Sequence, residues 1–74
     1  MYKLLIVEDD FIIAKGLQKH FEKYHYDVQY IEDFEHVLDE FLEFQPDLVL
    51  LDIHLPFFDG YYWCQEIRKI SQVP

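Results

Sequence analysis

The stretch Leu4-Leu5-Ile6-Val7-Glu8-Asp9-Asp10 decides the fold of this chain, because an apolar run ends directly in three acids. A second stretch, Leu48-Val49-Leu50-Leu51-Asp52, repeats the arrangement with one acid. Runs that are apolar at every position are typical of parallel strands covered by helices on both faces. Neighbouring strands of a sheet lie about 5 Å apart. We therefore expect Glu8, Asp9 and Asp52 to converge at one edge of a sheet.

Length, composition and charge narrow the function classes. The 74 residues suffice for one small domain, and a chain of this size buries about 60% of its unfolded surface. Apolar residues make up 51% of the chain, which predicts a folded core rather than disorder. Fifteen acidic and six basic residues give a formal net charge of −9, which argues against nucleic-acid binding by these residues. The single cysteine, Cys64, cannot form an internal disulfide, and neither a signal peptide nor a membrane span is visible, so we expect a cytoplasmic chain without membrane contact.

The rest of the chain alternates between strand and helix patterns. Apolar residues recur at helical spacing after the first acids, and Asp33 is a plausible N-cap for a second helix. Pro46 ends that helix, and a loop from Pro56 to Gly60 precedes the last one. The predicted elements are a strand at 4–7, a helix at 11–24, a strand at 28–31, a helix at 34–44, a strand at 48–51 and a helix at 61–71.

Strands that alternate with helices imply right-handed crossovers and a parallel sheet, which predicts an α/β fold. The solid apolar run 4–7 suits a central strand and the alternating run 28–31 suits an edge, which gives the strand order 2-1-3. The strand at 48–51 is as apolar as the first, and no later residue is expected to pair with its outer side. The helical residues expected in the core are Ile13, Ala14, Leu17, Phe21, Tyr24, Val37, Leu38, Phe41 and Leu42.

Local turns and caps are predicted from single residues. Asp10 is expected to cap the first helix. In the loop before the last helix, Pro56 fixes φ, and Gly60 is expected to supply a positive φ where the chain returns beside Asp52. The run 61–64 is expected to pack as part of the last helix rather than to bind a ligand.

Three segments, 5–10, 46–52 and 55–60, together resemble the receiver domain of bacterial two-component response regulators. They occur in the family's order and spacing and span the whole chain. The resemblance implies a doubly wound, flavodoxin-like sheet of about five strands in the order 2-1-3-4-5. Because the sequence stops at Pro74, where the fourth strand would begin, we expect residues 1–74 to form an incomplete receiver domain without strands 4 and 5 and helices 4 and 5.

The resemblance also implies a site. Asp52 is then the phospho-acceptor, Asp9 a direct ligand of Mg²⁺, Glu8 a ligand through water, and the backbone carbonyl of His54 a further ligand. A carboxylate can attack a phosphoryl group to form an acyl phosphate, and Mg²⁺ lets the two anions approach each other. The implied partner is a sensor histidine kinase, and the implied output is transcription through a DNA-binding domain, most similar to the winged-helix type, that these residues do not contain.

Further expectations follow from the same resemblance. Receivers use a Ser or Thr and a Lys from later strands at the phosphoryl group, so we expect this chain to be phosphorylated slowly, if at all, and not to act as an enzyme. An uncovered strand edge and sheet face predict self-association. The stripe Lys15, Lys19 and Lys23 is most simply a solvated helix face, with docking of the kinase as the alternative.

Two other function classes stay open. A haloacid-dehalogenase-like phosphotransferase also places a nucleophilic Asp after an apolar strand, but it needs a second Asp two residues later, where this chain has His54. An interaction module would use the scaffold for self-association without chemistry. The four histidines show no paired ligand spacing, which disfavours a zinc site.

Overall fold

Strands and helices alternate along the chain in the predicted order. The computed structural model describes all residues, 1–74. No helix is both long enough and apolar enough to cross a membrane. The elements are β1 (Lys3–Val7), α1 (Phe11–Glu22), β2 (Asp27–Tyr30), α2 (Val37–Phe44), β3 (Leu48–Leu51) and α3 (Gly60–Arg68).

The three strands form one parallel sheet in the order β2-β1-β3, which confirms the predicted fold class and strand order. In the register of the central strand, Leu4 lies opposite Val28 on one side and Leu48 on the other. Residues 4–7 are at most 1% exposed, as expected for a run that is apolar at every position. The strand that precedes the acids is therefore the most buried element of the protein.

Alternate residues of β1 serve two separate cores. Leu5 and Val7 belong to the larger one, under α2 and α3, whereas Leu4 and Ile6 pack with Ala14 under α1. Helices therefore cover both faces of the sheet, as in a doubly wound fold.

In the structure, the buried faces of α1 and α2 are narrower than the sequence predicted. Helix α1 ends at Glu22, two residues before the predicted end, and a turn follows in which His25 has a φ of 68°. Tyr24 lies in this turn and is exposed, which contradicts its expected place in the core. Ile13 and Leu42 are also about half exposed, because each sits at the outer border of its helix face. The remaining residues of the predicted faces are buried or partly buried.

Helix α2 begins at Val37, three residues later than predicted, and Asp33 does not cap it. The Asp33 carboxylate instead closes the preceding turn: Oδ1 accepts a hydrogen bond from the Glu35 amide at 3.0 Å, and Oδ2 lies 2.7 Å from His36 Nδ1. The Glu40 carboxylate reaches back to the Asp33 amide at 3.0 Å. Local side-chain bonds thus form a turn that competes with an earlier helix start.

The outer edge of β3 is paired at one position, contrary to expectation. The Val49 amide donates a hydrogen bond of 2.9 Å to the Pro74 carbonyl. The Arg68 guanidinium holds the approaching segment by donating to the Ser71 carbonyl at 2.8 Å and to the Val73 carbonyl. Val73 and Pro74 therefore lie beside β3.

Trp63 is the one buried residue of the run 61–64; Tyr61 and Cys64 are exposed, so the expected packing is confirmed only in part. The indole ring meets the rings of Phe58 and Tyr62 edge-on, with centroid distances of 5.6 and 4.9 Å. Its buried Nε1 has no hydrogen-bond partner.

Candidate functional site

The first connection, between β1 and α1, delivers Glu8 and Asp9 to the carboxyl edge of the sheet. Glu8 directly follows the buried central strand, so its position is fixed by the sheet. Asp10 caps α1, as predicted: its Oδ1 accepts hydrogen bonds from the amides of Ile12 and Ile13 at 3.0 and 3.2 Å. With Asp10 engaged at the helix start, the other two acids are available at the sheet edge.

The second connection, between β3 and α3, begins with Asp52. The Asp52 amide donates a hydrogen bond of 3.0 Å to the Val7 carbonyl, which continues the pairing of β1 with β3 by one residue. The sheet therefore fixes the backbone of Asp52 next to the start of the first connection. The Asp52 side chain accepts a hydrogen bond from the His54 amide at 3.3 Å through Oδ1.

Gly60 is required at the end of this connection for a steric reason rather than for a positive φ, which it does not have. A Cβ atom at this position would overlap the Asp52 carbonyl oxygen and lie 2.9 Å from both the Asp52 carbonyl carbon and the Ile53 Cα. The Gly60 amide donates a hydrogen bond of 2.9 Å to the Ile53 carbonyl. The prediction of a left-handed Gly60 is wrong; the first residue of α3 instead lies directly against the backbone of Asp52.

The positive φ of this connection falls on Phe57, with a value of 66°. The Phe58 amide donates a hydrogen bond of 2.8 Å to the Pro56 carbonyl, which closes a three-residue turn centred on Phe57. A turn of this kind with a positive central φ is rare and strained. After it, the Asp59 carboxylate caps α3 by accepting a hydrogen bond of 2.9 Å from the Tyr62 amide.

The two connections bring three carboxylates together. One oxygen each from Glu8, Asp9 and Asp52 can be chosen so that all lie within 4.8 Å of one another, as the sequence predicted. Burial raises the pKa of Glu8 above 4.5, and the nearby Asp52 and Asp9 raise it further, while a hydrogen bond from the Asp10 amide acts in the opposite direction. Three acids at this spacing repel one another, so the cluster favours a proton or a cation.

The donor set fits Mg²⁺. All three side chains offer carboxylate oxygens, which are the hard ligands that Mg²⁺ prefers, and the ion commonly uses one or two carboxylates and keeps several waters. Asp9 also borders an open groove of about 630 Å³, which leaves room for water or a phosphoryl group beside the acids.

Comparison with known proteins identifies the family. A family model for the response regulator receiver domain matches residues 4–74. The chain belongs to the response regulator receiver domain family. Receiver domains are signalling modules rather than classical enzymes, and they bind Mg²⁺ at an acidic site.

Relatives agree with this assignment at high similarity. The receiver chain is 55% identical over its whole length to the uncharacterized transcriptional regulatory protein YvcP of Bacillus subtilis, and it spans 31% of that protein. It superposes with a TM-score of 0.91 on the N-terminal domain of the nisin resistance regulator NsrR, at 43% identity, covering all of this chain and 62% of the other. The chain therefore spans about a third of the length of the curated relative.

A third similar protein, TrrA of Thermotoga maritima, has been solved both with Mg²⁺ and BeF and with the histidine kinase ThkA. The Mg²⁺–BeF structure superposes with a TM-score of 0.85 at 33% identity, covering 93% of this receiver and 60% of that chain. The structure of the kinase complex gives a TM-score of 0.86 at 32% identity, covering 96% of this receiver and 61% of that chain.

Sequence reasoning found the three acids but missed the conformation of the connection that follows Asp52. Phe57 offered no signal for a positive φ, because glycine and asparagine are the usual residues there. The close approach at Gly60 is a contact between elements, so spacing along the chain could not show it. The apolar run Leu55-Pro56-Phe57-Phe58 before a cap residue was the visible hint of an unusual loop.

Proposed function

We propose that this receiver accepts a phosphoryl group on Asp52 from a sensor histidine kinase, with Mg²⁺ at the acidic cluster, and thereby controls a transcriptional output in the cytoplasm. The observation that carries the proposal is the convergence of Glu8, Asp9 and Asp52 at the carboxyl edge of the sheet. Glu8 and Asp9 without Asp52 could equally belong to a solvated turn, so the convergence of all three acids is needed to indicate a metal and phosphorylation site.

In the proposed transfer, one oxygen of the Asp52 carboxylate attacks phosphorus and forms the bond of an acyl phosphate. The bond from phosphorus to the donor's imidazole nitrogen breaks, and its electron pair stays on that nitrogen. The backbone bonds to Val7 and Ile53 hold this edge of the sheet, so the nucleophile needs little reorganisation. The His54 amide binds Oδ1, which orients the carboxylate.

Glu8, Asp9 and Asp52 would hold Mg²⁺, together with the backbone carbonyl of His54. When bound, the ion supplies positive charge that offsets the repulsion between the carboxylates and the incoming phosphoryl oxygens. The raised pKa of Glu8 is consistent with this assignment, because burial first, and then the nearby Asp52 and Asp9, make a negative charge on Glu8 costly when no cation is bound.

The partner and the output are supported by similar proteins. TrrA forms a complex with the kinase ThkA, and YvcP is described as a transcriptional regulatory protein. With a net charge of −9 the receiver itself is unsuited to DNA, so contact with DNA would be made by a separate output domain.

The test is beryllofluoride, which mimics a phosphoryl group on a carboxylate. With Mg²⁺ present, we expect it to raise the Tm of the full-length protein, and we expect Asp52→Asn to abolish that rise. The matched control is Asp27→Asn, an exposed acid at the start of β2 and thus at the opposite edge of the sheet, which should respond like the unchanged protein. Phosphoramidate should add one phosphoryl group to Asp52 by mass spectrometry. An unaltered response in Asp52→Asn would refute the proposal.

A second candidate is a module that self-associates without phosphotransfer. All four residues of β3 are only partly buried, unlike residues 4–7 of β1, and its outer edge is paired only at Val49. This function predicts dimers or larger species by light scattering at high concentration and no response to beryllofluoride. A strictly monomeric, cooperatively folded protein would exclude it.

A further inference from the structure

Phe57 combines two unfavourable features, a positive φ and an exposed aromatic ring, that rarely occur at one position. Its φ of 66° lies in the left-handed region, where the Cβ atom of an L-residue crowds the backbone. Its side chain is 71% exposed, so burial of the ring does not offset the strain. Strained conformations persist most often where function requires them.

The surroundings of Phe57 form an apolar surface beside the acidic cluster. Pro56, its neighbour, lines the 630 Å³ groove that Asp9 borders. Tyr61 lines the same groove and is 64% exposed, and Phe58 stacks on the partly exposed Tyr62 at a centroid distance of 4.4 Å. Exposed apolar patches next to a polar site mark interaction surfaces.

The geometry points to Phe57 and Tyr61 as apolar anchors for the protein that donates the phosphoryl group, namely the phosphohistidine-bearing surface of the kinase. This inference rests on the proposed function. A donor that reaches Asp52 must approach over the carboxyl edge of the sheet, where the groove opens at Asp9. The apolar surface is thus continuous with the proposed site of transfer.

The negative charge of the groove is also consistent with the kinase as the binding partner. Asp9 and Asp59 line the groove together with its apolar residues, so the surface favours a partner that presents basic side chains around an apolar contact. A second copy of this chain, with its net charge of −9, would bring more acids to these and would be repelled. Aromatic anchors commonly dominate the energy of such interfaces.

The experiment compares a protein donor with a small one. In the full-length protein, Phe57→Gly removes the ring and relaxes the positive φ, so the fold is retained. The control, Gln45→Gly, makes the same kind of change at a residue with a φ of 53° at the end of α2, on a different connection. Transfer is measured from autophosphorylated kinase, chosen as the fastest donor from a set that includes ThkA, and separately from phosphoramidate.

We expect Phe57→Gly to lower kcat/KM with the kinase about tenfold, as loss of one interface anchor commonly does, and to leave the phosphoramidate rate unchanged. Tyr61→Ala should act in the same direction, and Gln45→Gly should alter neither rate. Equal kinase rates for Phe57→Gly and the unchanged protein would overturn the inference. So would a parallel loss with phosphoramidate, since Phe57 would then act on the site itself. Labelling of Asp52 by phosphoramidate but by no kinase would also overturn it, whereas labelling by neither donor would overturn the proposed function instead.

Discussion

Two connections deliver acids to the same edge of the sheet, and they are built differently. The β1–α1 connection has three residues, 8–10, and is closed by hydrogen bonds between near neighbours. The β3–α3 connection has eight residues, 52–59, and depends on a strained turn and on the approach of Gly60 to Asp52. The conformation of the short connection is thus determined by its own residues, whereas that of the long connection also depends on contacts with the rest of the fold.

Gly60→Ala should produce the largest difference between the connections. Its Cβ would overlap the Asp52 carbonyl oxygen, so α3 must shift away from β3, and we expect a loss of about 3 kcal/mol in the free energy of unfolding. Urea denaturation measures this loss. Gly16→Ala is the matched control, because no atom lies within 4 Å of its added Cβ, and it should stabilise α1 by about 0.5–1 kcal/mol. Equal stabilities for the two variants would show that the contact at Gly60 is not needed.

The two helix caps test whether local bonds matter more in the short connection. Asp10 accepts two amide hydrogen bonds and Asp59 accepts one, so we expect Asp10→Ala to lower the free energy of unfolding by about 1–2 kcal/mol and Asp59→Ala by about 0.5–1 kcal/mol. Thermal unfolding gives both values. Asp10→Asn and Asp59→Asn keep an acceptor oxygen and should each recover most of the loss. The reverse order of the two alanine variants would contradict the comparison.

Repulsion between Asp52 of one connection and Glu8 of the other should have a smaller effect on the stability of the protein. Without Mg²⁺, Asp52→Asn removes a charge that raises the pKa of Glu8, so we expect it to stabilise the protein at pH 7 by about 0.5–1 kcal/mol. The pKa of Glu8, followed by NMR, should fall towards its usual value. Asp27→Asn should change neither quantity, and added Mg²⁺ should stabilise the unchanged protein more than Asp52→Asn. Destabilisation by Asp52→Asn in the absence of Mg²⁺ would show that the acids do not repel in the folded state.

The connection between β2 and α2 carries no acid of the cluster. Changes there should have the smallest effect on the stability of the protein, and that effect should depend on pH. Hydrogen bonding and attraction raise the pKa of His36 above 6.5 and lower that of Asp33 below 3.8. The contribution of His36 is therefore complete below pH 6.5 and is lost as pH rises through its raised pKa. That of Asp33 is complete above pH 3.8 and is lost as pH falls through its lowered pKa.

We expect His36→Gln to lower Tm slightly at pH 5 and to have no effect at pH 9, as measured by thermal unfolding at both values. The control His25→Asn changes a histidine outside this ion pair, in a backbone conformation that asparagine tolerates. An equal change for His36→Gln at both pH values would assign the effect to packing rather than to charge.

The sequence correctly predicted the features that follow from the strand pattern and from residues close together in the chain. The run 4–7 identified the central strand, and the acids that follow the two apolar strands met as expected. It failed where one residue has competing local partners, as at Asp33, whose carboxylate closes a turn instead of capping α2. It also failed at Phe57 and Gly60, because a strained φ and a contact between elements leave no periodic trace in the chain.

The packing of Trp63 gives the protein a fluorescent reporter of its own. It is the single tryptophan of the chain, its Nε1 is buried without a hydrogen-bond partner, and its ring meets those of Phe58 and Tyr62. An indole in such a dry setting emits at short wavelength, and access of water to Nε1 would shift the emission towards the red. Because Phe58 belongs to the connection that begins with Asp52, the colour of the emission reports rearrangement of that connection without any attached label.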